Sequence, residues 1–413
     1  MQNFTWLTLG NAVAKPVWLA FLTLGCVRLL EEDGYGVFTA TLALTAIVNT
    51  FADLGLAPYL VREVARRLPD AARYLTNFLV ARLFLGFLTV LCSLGMGWFL
   101  GYRGGKLLAL LLAGSYTFLF SLLDLGRSLF RAVERMEFEA VNVLLEKLFV
   151  IGLGLVLLGG FHTPVAVLGG MALGLLVVTL GTLGWIHRHL TALRLDLLDT
   201  AFLRRAVVAA LPFGLAGQFV MIYSRTDAVM LDVLVGASSA GYYGAAYRIM
   251  ESLMLISSLV TTAIYPRLSS LFHEQQHHAF HRLLRNGLLA NLGIGLAVLA
   301  GLTVFASPLM VLIKGDASFE PAAGALRLLG WGVPFMCVNG VLATALTATD
   351  QQNRLLVWLG LSVLVNIGLN SLLIPAYTIT GACVATLATE MLLTGMLAFT
   401  HLRRPWFGNA ATS

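Results

Sequence analysis

Long apolar runs recur from one end of this chain to the other, separated only by short polar segments, and no other feature constrains the fold as strongly. Each run approaches or exceeds the ~20 residues a helix needs to cross a bilayer core. In lipid, backbone N–H and C=O groups must be satisfied inside the segment, so such runs are read as helices. Twelve are placed at roughly 5–27, 37–59, 77–101, 107–129, 140–160, 164–186, 206–234, 241–264, 287–313, 323–347, 354–374 and 379–401. Composition agrees: 58% of the 413 residues are hydrophobic and 12% charged, about half the charge of a soluble domain. The expectation is an all-α polytopic membrane protein.

The first run lacks a basic leader and a small-residue cleavage site, so it reads as a retained first helix. Cys26, Cys92, Cys337 and Cys383 all lie in apolar runs without metal-ligand spacing, as expected of small apolar packing residues. The net charge of +6 would suggest nucleic acid in a soluble protein. Here the cations cluster in loops, where membrane orientation accounts for them, and no nucleic-acid partner is expected. Seventeen Lys and Arg residues fall in one set of alternate loops, from Arg62 to Arg404, against four in the other set: Arg28, Arg103, Lys106 and Lys314. By the positive-inside rule both termini are expected in the cytoplasm.

An internal repeat organises the spans. Gly34-Tyr35-Gly36 opens span 2 and Gly241-Tyr242-Tyr243-Gly244 opens span 8, 207 residues later. Tyr59-Leu60-Val61-Arg62 is followed by Tyr265-Pro266-Arg267-Leu268 at an offset of 206, half the chain. Residues 1–190 and 206–413 are therefore expected to be six-helix lobes joined by a cytoplasmic linker at 191–205. An even span count per lobe gives both the same orientation, a parallel pseudo-repeat about an axis along the membrane normal. No extramembrane segment has the length of a catalytic domain, and no Walker loop or dinucleotide fingerprint is present. An enzyme, a cofactor and a metal are not expected. His273, His277, His278 and His281, beside Arg282 and Arg285, read as an amphipathic solvated face.

Charges within spans are the functional candidates, because each costs on the order of 3 kcal/mol at a helix centre. Sorting them by an opposite charge three or four positions away on the same helix pairs Asp124 with Arg127, Arg131 with Glu134, and Arg248 with Glu251. Glu146 and Lys147 are adjacent, point about 100° apart and need partners elsewhere. Lys15, Asp53, Arg82, Arg225, Asp227 and Glu390 have no such partner. Lys15 precedes Pro16, whose ring removes a backbone donor, and Arg225 and Asp227 sit midway along span 7. Guanidinium matches phosphate oxygens bidentately and keeps its charge, so Arg225, Lys15, Arg82 and Arg248 are the cationic-cavity candidates for an anionic lipid head group. Asp227, Asp53 and Glu390 are candidates for ion coupling or gating.

Three stretches then show a likeness. They are Val27-Arg28-Leu29-Leu30 through Gly34-Tyr35-Gly36-Val37-Phe38 to Asp53-Leu54-Gly55-Leu56 and Arg62-Glu63-Val64-Ala65; Phe130-Arg131-Ala132-Val133-Glu134-Arg135-Met136; and Pro212-Phe213 through Tyr223-Ser224-Arg225-Thr226-Asp227 and Gly241–Arg248 to Tyr265-Pro266-Arg267-Leu268. In order and spacing the chain resembles the polysaccharide exporters and O-antigen-type flippases of the multidrug/oligosaccharidyl-lipid/polysaccharide superfamily. One departure is Leu30-Glu31-Glu32-Asp33, where such proteins commonly place a Leu-Gly turn. The resemblance implies a MATE-like flippase fold and alternating access. Its substrate would be a polyprenyl-diphosphate-linked oligosaccharide, with membrane lipid and polysaccharide-assembly enzymes as partners. Two other readings stay open: a drug or organic-cation antiporter, which calls for an anionic cavity, and a membrane enzyme such as a glycan polymerase or acyltransferase.

Overall fold

The computed structural model describes residues 14–316 and 318–403, without the side chains of Asp53, 211–216 and 402–403. Helix α1 (Ala14–Val27) winds wider over Phe21–Val27. It leads into α2 (Glu32–Asp53) and α3 (Leu56–Arg66), then α4 (Ala71–Phe99), α5 (Gly104–Ala132), α6 (Met136–Phe161) and α7 (Pro164–His189). The second half carries α8 (Thr200–Leu234), α9 (Ala237–His273), α10 (His277–Lys314), α11 (Glu320–Gly330), α12 (Val333–Ala348) and α13 (Gln352–Arg403).

Several expected spans are broken or extended. Span 2 breaks at Leu54 and Gly55, both left-handed at φ 47° and 72°, a conformation glycine adopts without the Cβ clash that leucine meets. Span 10 bends by 46° between α11 and α12. Helix α13 holds spans 11 and 12, reversing at Thr378 (φ 52°, ψ −127°). The Trp358 indole N–H donates to Thr400 Oγ1 at 2.8 Å, so the two ends of α13 lie side by side. Among the described residues, eight helices are long and apolar enough to cross a membrane, and α11 with α12 makes a ninth. The reversal in α13, together with α1 and α8, brings the helical segments to the expected twelve. Helix α9 runs on to His273, and α10 begins at His277 rather than near 287. Hydropathy marks the lipid-facing part of a helix, and here the helices continue past it as amphipathic turns.

The chain forms two compact units, residues 1–233 and 234–413. In the first, α5 is the hub, packed against α2, α3, α4, α6 and α7. Helices α6 and α7 approach so closely that a Cβ on Gly170 would sit 2.4 Å from Leu153 O, and one on Gly174 2.4 Å from Phe149 O. In the second, α11 and α12 are packed by α9, α10 and α13. A Cβ on Gly295 of α10 would lie 2.6 Å from Pro334 Cα. Small residues at such crossings let helices associate where lipid removes the hydrophobic drive between them.

Helix α8 belongs with the first compact unit, although the repeat reading assigns it to the second half. Its first turns add Ala206 and Ala210 to a core of Leu60, Phe78, Leu125, Leu129 and Ile186, and near its far end Val229 packs on Leu44, Tyr102 and Leu110. The linker ahead of it is docked on α4. Asn77 donates to Leu197 O and accepts from Asp199 N–H, both at 2.9 Å. Arg73 reaches Asp199 at 2.7 Å, and the Tyr74 ring meets Phe202 edge-on. The Phe202 backbone N–H and then Arg73 hold the Asp199 carboxyl below its ordinary range.

Candidate functional site

The buried charges fall into layers along the first unit, each positioned by a different helix pair. Near the start of α6, Arg131 of α5 bonds Asp124 at 2.7 Å and Glu139 at 2.9 Å. Deeper in, Arg127 donates from Nε to Asn142 Oδ1 at 2.6 Å and pairs with Glu146 at 2.8 Å. Asn142 in turn donates to Thr182 Oγ1 of α7 at 2.5 Å. Lys147 completes the layer, 2.6 Å from Glu146 and 4.4 Å from the Trp18 ring centroid. These contacts correct the same-helix sorting: Arg127 turns to α6 rather than to Asp124, and Arg131 takes Asp124 and Glu139. Arg127 is buried where Asn142 and Glu146 of α6 come within reach, whereas Arg131 takes Asp124 two turns back on its own helix together with Glu139 of α6.

Arg82 is likewise fully buried, its guanidinium donating to Ser121 O and Oγ on α5, both at 2.6 Å. Arg225 is half-buried on α8 and Asp227 buried, while Lys15 is exposed near the start of α1. The Asp53 side chain lies outside the described residues, as do those of Pro212, Phe213, Arg403 and Arg404. In the second unit, Arg248 pairs with Glu251 at 2.9 Å, as the spacing predicts. Glu390 is buried and accepts from Asn339 Nδ2 at 2.7 Å, and Thr394 donates to Asn339 Oδ1 at 2.8 Å. Lys15, Arg82, Arg225 and Asp227 thus belong to the first unit and Arg248 and Glu390 to the second.

One cluster escaped the sequence reading. At the far end of α8, the Asp232 carboxylate is fully buried and accepts from the Tyr102 hydroxyl and from Lys106, 2.7 Å away. Lys106 also lies 4.2 Å over the Tyr102 ring. Burial, then the neighbouring carboxylate, raises the Tyr102 phenol above its ordinary pKa. The available signal was an aspartate two residues short of a span's end, too near the boundary to count as buried.

The described residues hold no group of three or more His, Cys, Asp or Glu side chains arranged for a metal. His277 and His278 open α10 beside the outward-facing His281, Arg282 and Arg285. Large apolar side chains such as Phe84, Leu148, Leu259, Leu312 and Leu364 stay exposed on helix exteriors, the surface a bilayer covers.

An all-helical polytopic body with charges set inside its helix packing is the architecture of the MATE-type transporters. The chain shares this fold with the lipid II flippase MurJ in an inward closed conformation, with TM-score 0.76, 14% identity and coverage of 95% of this chain and 87% of that one. It shares it also with an inward-facing multidrug resistance MATE family transporter, with TM-score 0.73, 16% identity and coverage of 96% and 94%. The polysaccharide biosynthesis protein family matches residues 1–272, and the MatE family matches residues 212–372. The chain belongs to the polysaccharide biosynthesis protein family. Among curated relatives, a probable low-salt glycan biosynthesis flippase of Haloferax volcanii, Agl15, is 24% identical over 366 residues, covering 87% of this chain and 74% of its own length.

Proposed function

We propose that this protein is a flippase that carries a polyprenyl-diphosphate-linked oligosaccharide, a precursor of cell-surface polysaccharide, across the cytoplasmic membrane by alternating access. What carries the reading is the likeness to a glycan biosynthesis flippase over 87% of the chain. The intramembrane cations support it, since arginines set among helices suit a diphosphate and would repel an organic cation. Transport rather than catalysis is the activity proposed. Residues 1–190 and 206–413 act as parallel repeats, with both termini in the cytoplasm, and polysaccharide-assembly enzymes supply the substrate. Arg225 is the leading substrate contact, with Lys15 as a further cation; Arg82, closed between α4 and α5 against Ser121, drops out of that set, and Arg248 stands apart as a cation of the second unit. Asp227, Asp53 and Glu390 serve coupling or gating.

Arg225→Ala tests the reading. Loss of a charge-assisted phosphate contact costs about 1.5–3 kcal/mol, roughly ten- to a hundredfold in affinity. Export of the lipid-linked glycan is expected to fall accordingly at unchanged protein abundance. Arg225→Lys, which keeps charge but loses the fork, should be intermediate. Normal export by the alanine variant would remove Arg225 from the site.

A further inference from the structure

Lys147 is an intramembrane cation that this reading leaves unused. It lies about 16 Å along α6 from the helix start, counting 1.5 Å per residue, in the middle of a span where an ionisable group marks function by default. Its neighbour Glu146 has a partner without it, because Arg127, itself buried and fixed by Asn142, already pairs with Oε2 at 2.8 Å. Two cations on one carboxylate leave a positive surplus, and the surplus sits on the open side. Lys147 is 19% exposed against 7% for Arg127. The balancing negative surplus, Asp124 and Glu139, lies about two turns away and is bonded to Arg131.

An ammonium has three donors. One of those on Lys147 meets Glu146 and the Trp18 ring covers another face, which leaves a donor without an acceptor among the described residues. Trp18 stands on α1, and one turn earlier on the same helix face is Lys15, exposed and without an ion pair among the described residues.

Resting on the flippase reading, we propose that Lys15, Trp18 and Lys147 form a subsite for the diphosphate of the lipid-linked substrate. The free donor of Lys147 and the Lys15 ammonium take phosphate oxygens, and Trp18 is a positioning residue that holds the Lys147 ammonium by its ring face. A bulk anionic phospholipid offers similar phosphate chemistry with one charge fewer, and the test separates the two.

Full-length protein in nanodiscs of zwitterionic lipid is titrated with a polyprenyl diphosphate and, separately, with phosphatidylglycerol. Lys147→Gln is expected to weaken diphosphate binding about tenfold or more and leave phosphatidylglycerol binding unchanged, with the protein still folded at the assay temperature. Lys147→Arg should restore most of the affinity. If Lys147→Gln does not fold, Lys15→Gln on the exposed side is expected to show the same selective loss. Wild-type affinity in both glutamine variants overturns the subsite and leaves the flippase reading standing. An equal loss toward both lipids makes it a general anionic-lipid contact and overturns it too. Failure of the wild type to bind the diphosphate at all removes both.

Discussion

Replacing Glu146 by glutamine tests how the deep charge layer of the first unit is held together. The Glu146, Arg127 and Lys147 side chains are 1%, 7% and 19% exposed, so the carboxylate is a buried anion shared by one buried and one partly open cation. Removing one member of a buried pair costs about 3–5 kcal/mol, because the other charge stays behind uncompensated. The glutamine carbonyl can still accept one N–H, returning about 0.5–1.5 kcal/mol. Glu146→Gln is therefore expected to destabilise by about 2–4 kcal/mol. Lys147→Gln leaves the Arg127–Glu146 pair intact and removes the less buried partner, so it is expected to cost less than Glu146→Gln. Arg127→Gln should fall between them, since Glu146 then keeps Lys147 alone. Reversible unfolding in mixed detergent micelles at fixed lipid content gives all three values. Equal losses for Glu146→Gln and Lys147→Gln, or a glutamine-146 variant as stable as wild type, would refute the assignment of Arg127 as the principal partner.

Other elements are open to equally direct checks. Asp232→Asn removes the charge that holds the far end of α8 to Tyr102 and Lys106. With the exposed Cys92 changed to serine, a cysteine at Val235 should then label faster, and an unchanged rate would count against the clamp. Gly170→Val must displace the Leu153 backbone and should destabilise by about 1–3 kcal/mol or more. Gly160→Val, with nothing within 4 Å of its Cβ, should be tolerated, and similar losses in both would refute the packing argument. Asp199 is held below the ordinary carboxylate range, so its hold on Arg73 is complete above the ordinary aspartate pKa and fades only as pH falls through the lowered value. Protease resistance of the 190–199 linker should thus be constant from about pH 7 to about pH 5, and Asp199→Asn should lower it throughout. Loss of protection within that range in the wild type would contradict this.

What the sequence made legible follows from what hydropathy measures. Every expected span has a helix among the described residues, the 5–13 part of the first lying outside them, because a run of apolar residues in lipid has few other ways to satisfy its backbone. Helix breaks were less readable: Leu54 and Thr378 take positive φ, where glycine or asparagine is usual, and the neighbouring Gly55 and Pro375 mark the weak points without giving the turn. Ion partners were legible only where they lie on one helix, as for Arg248 and Glu251. Arg127 and Glu146 are 19 residues apart, and Tyr102 and Asp232 are 130 apart; periodicity along one helix carries no information about which helix faces it.

The placement of α8 has a consequence for how this polypeptide can be divided. Its opening turns and its far end are both fastened to residues 44–129, through Phe78, Tyr102, Lys106 and Leu125. A gene cut in the 190–199 linker, near the boundary the repeat reading predicts, separates α8 from all of these partners. A cut at the turn around Gly236, where φ is 138° and a Cβ would meet nothing within 4 Å, leaves them together. Two fragments co-expressed from that second position should complement each other, one helix away from the boundary that the repeat reading predicts.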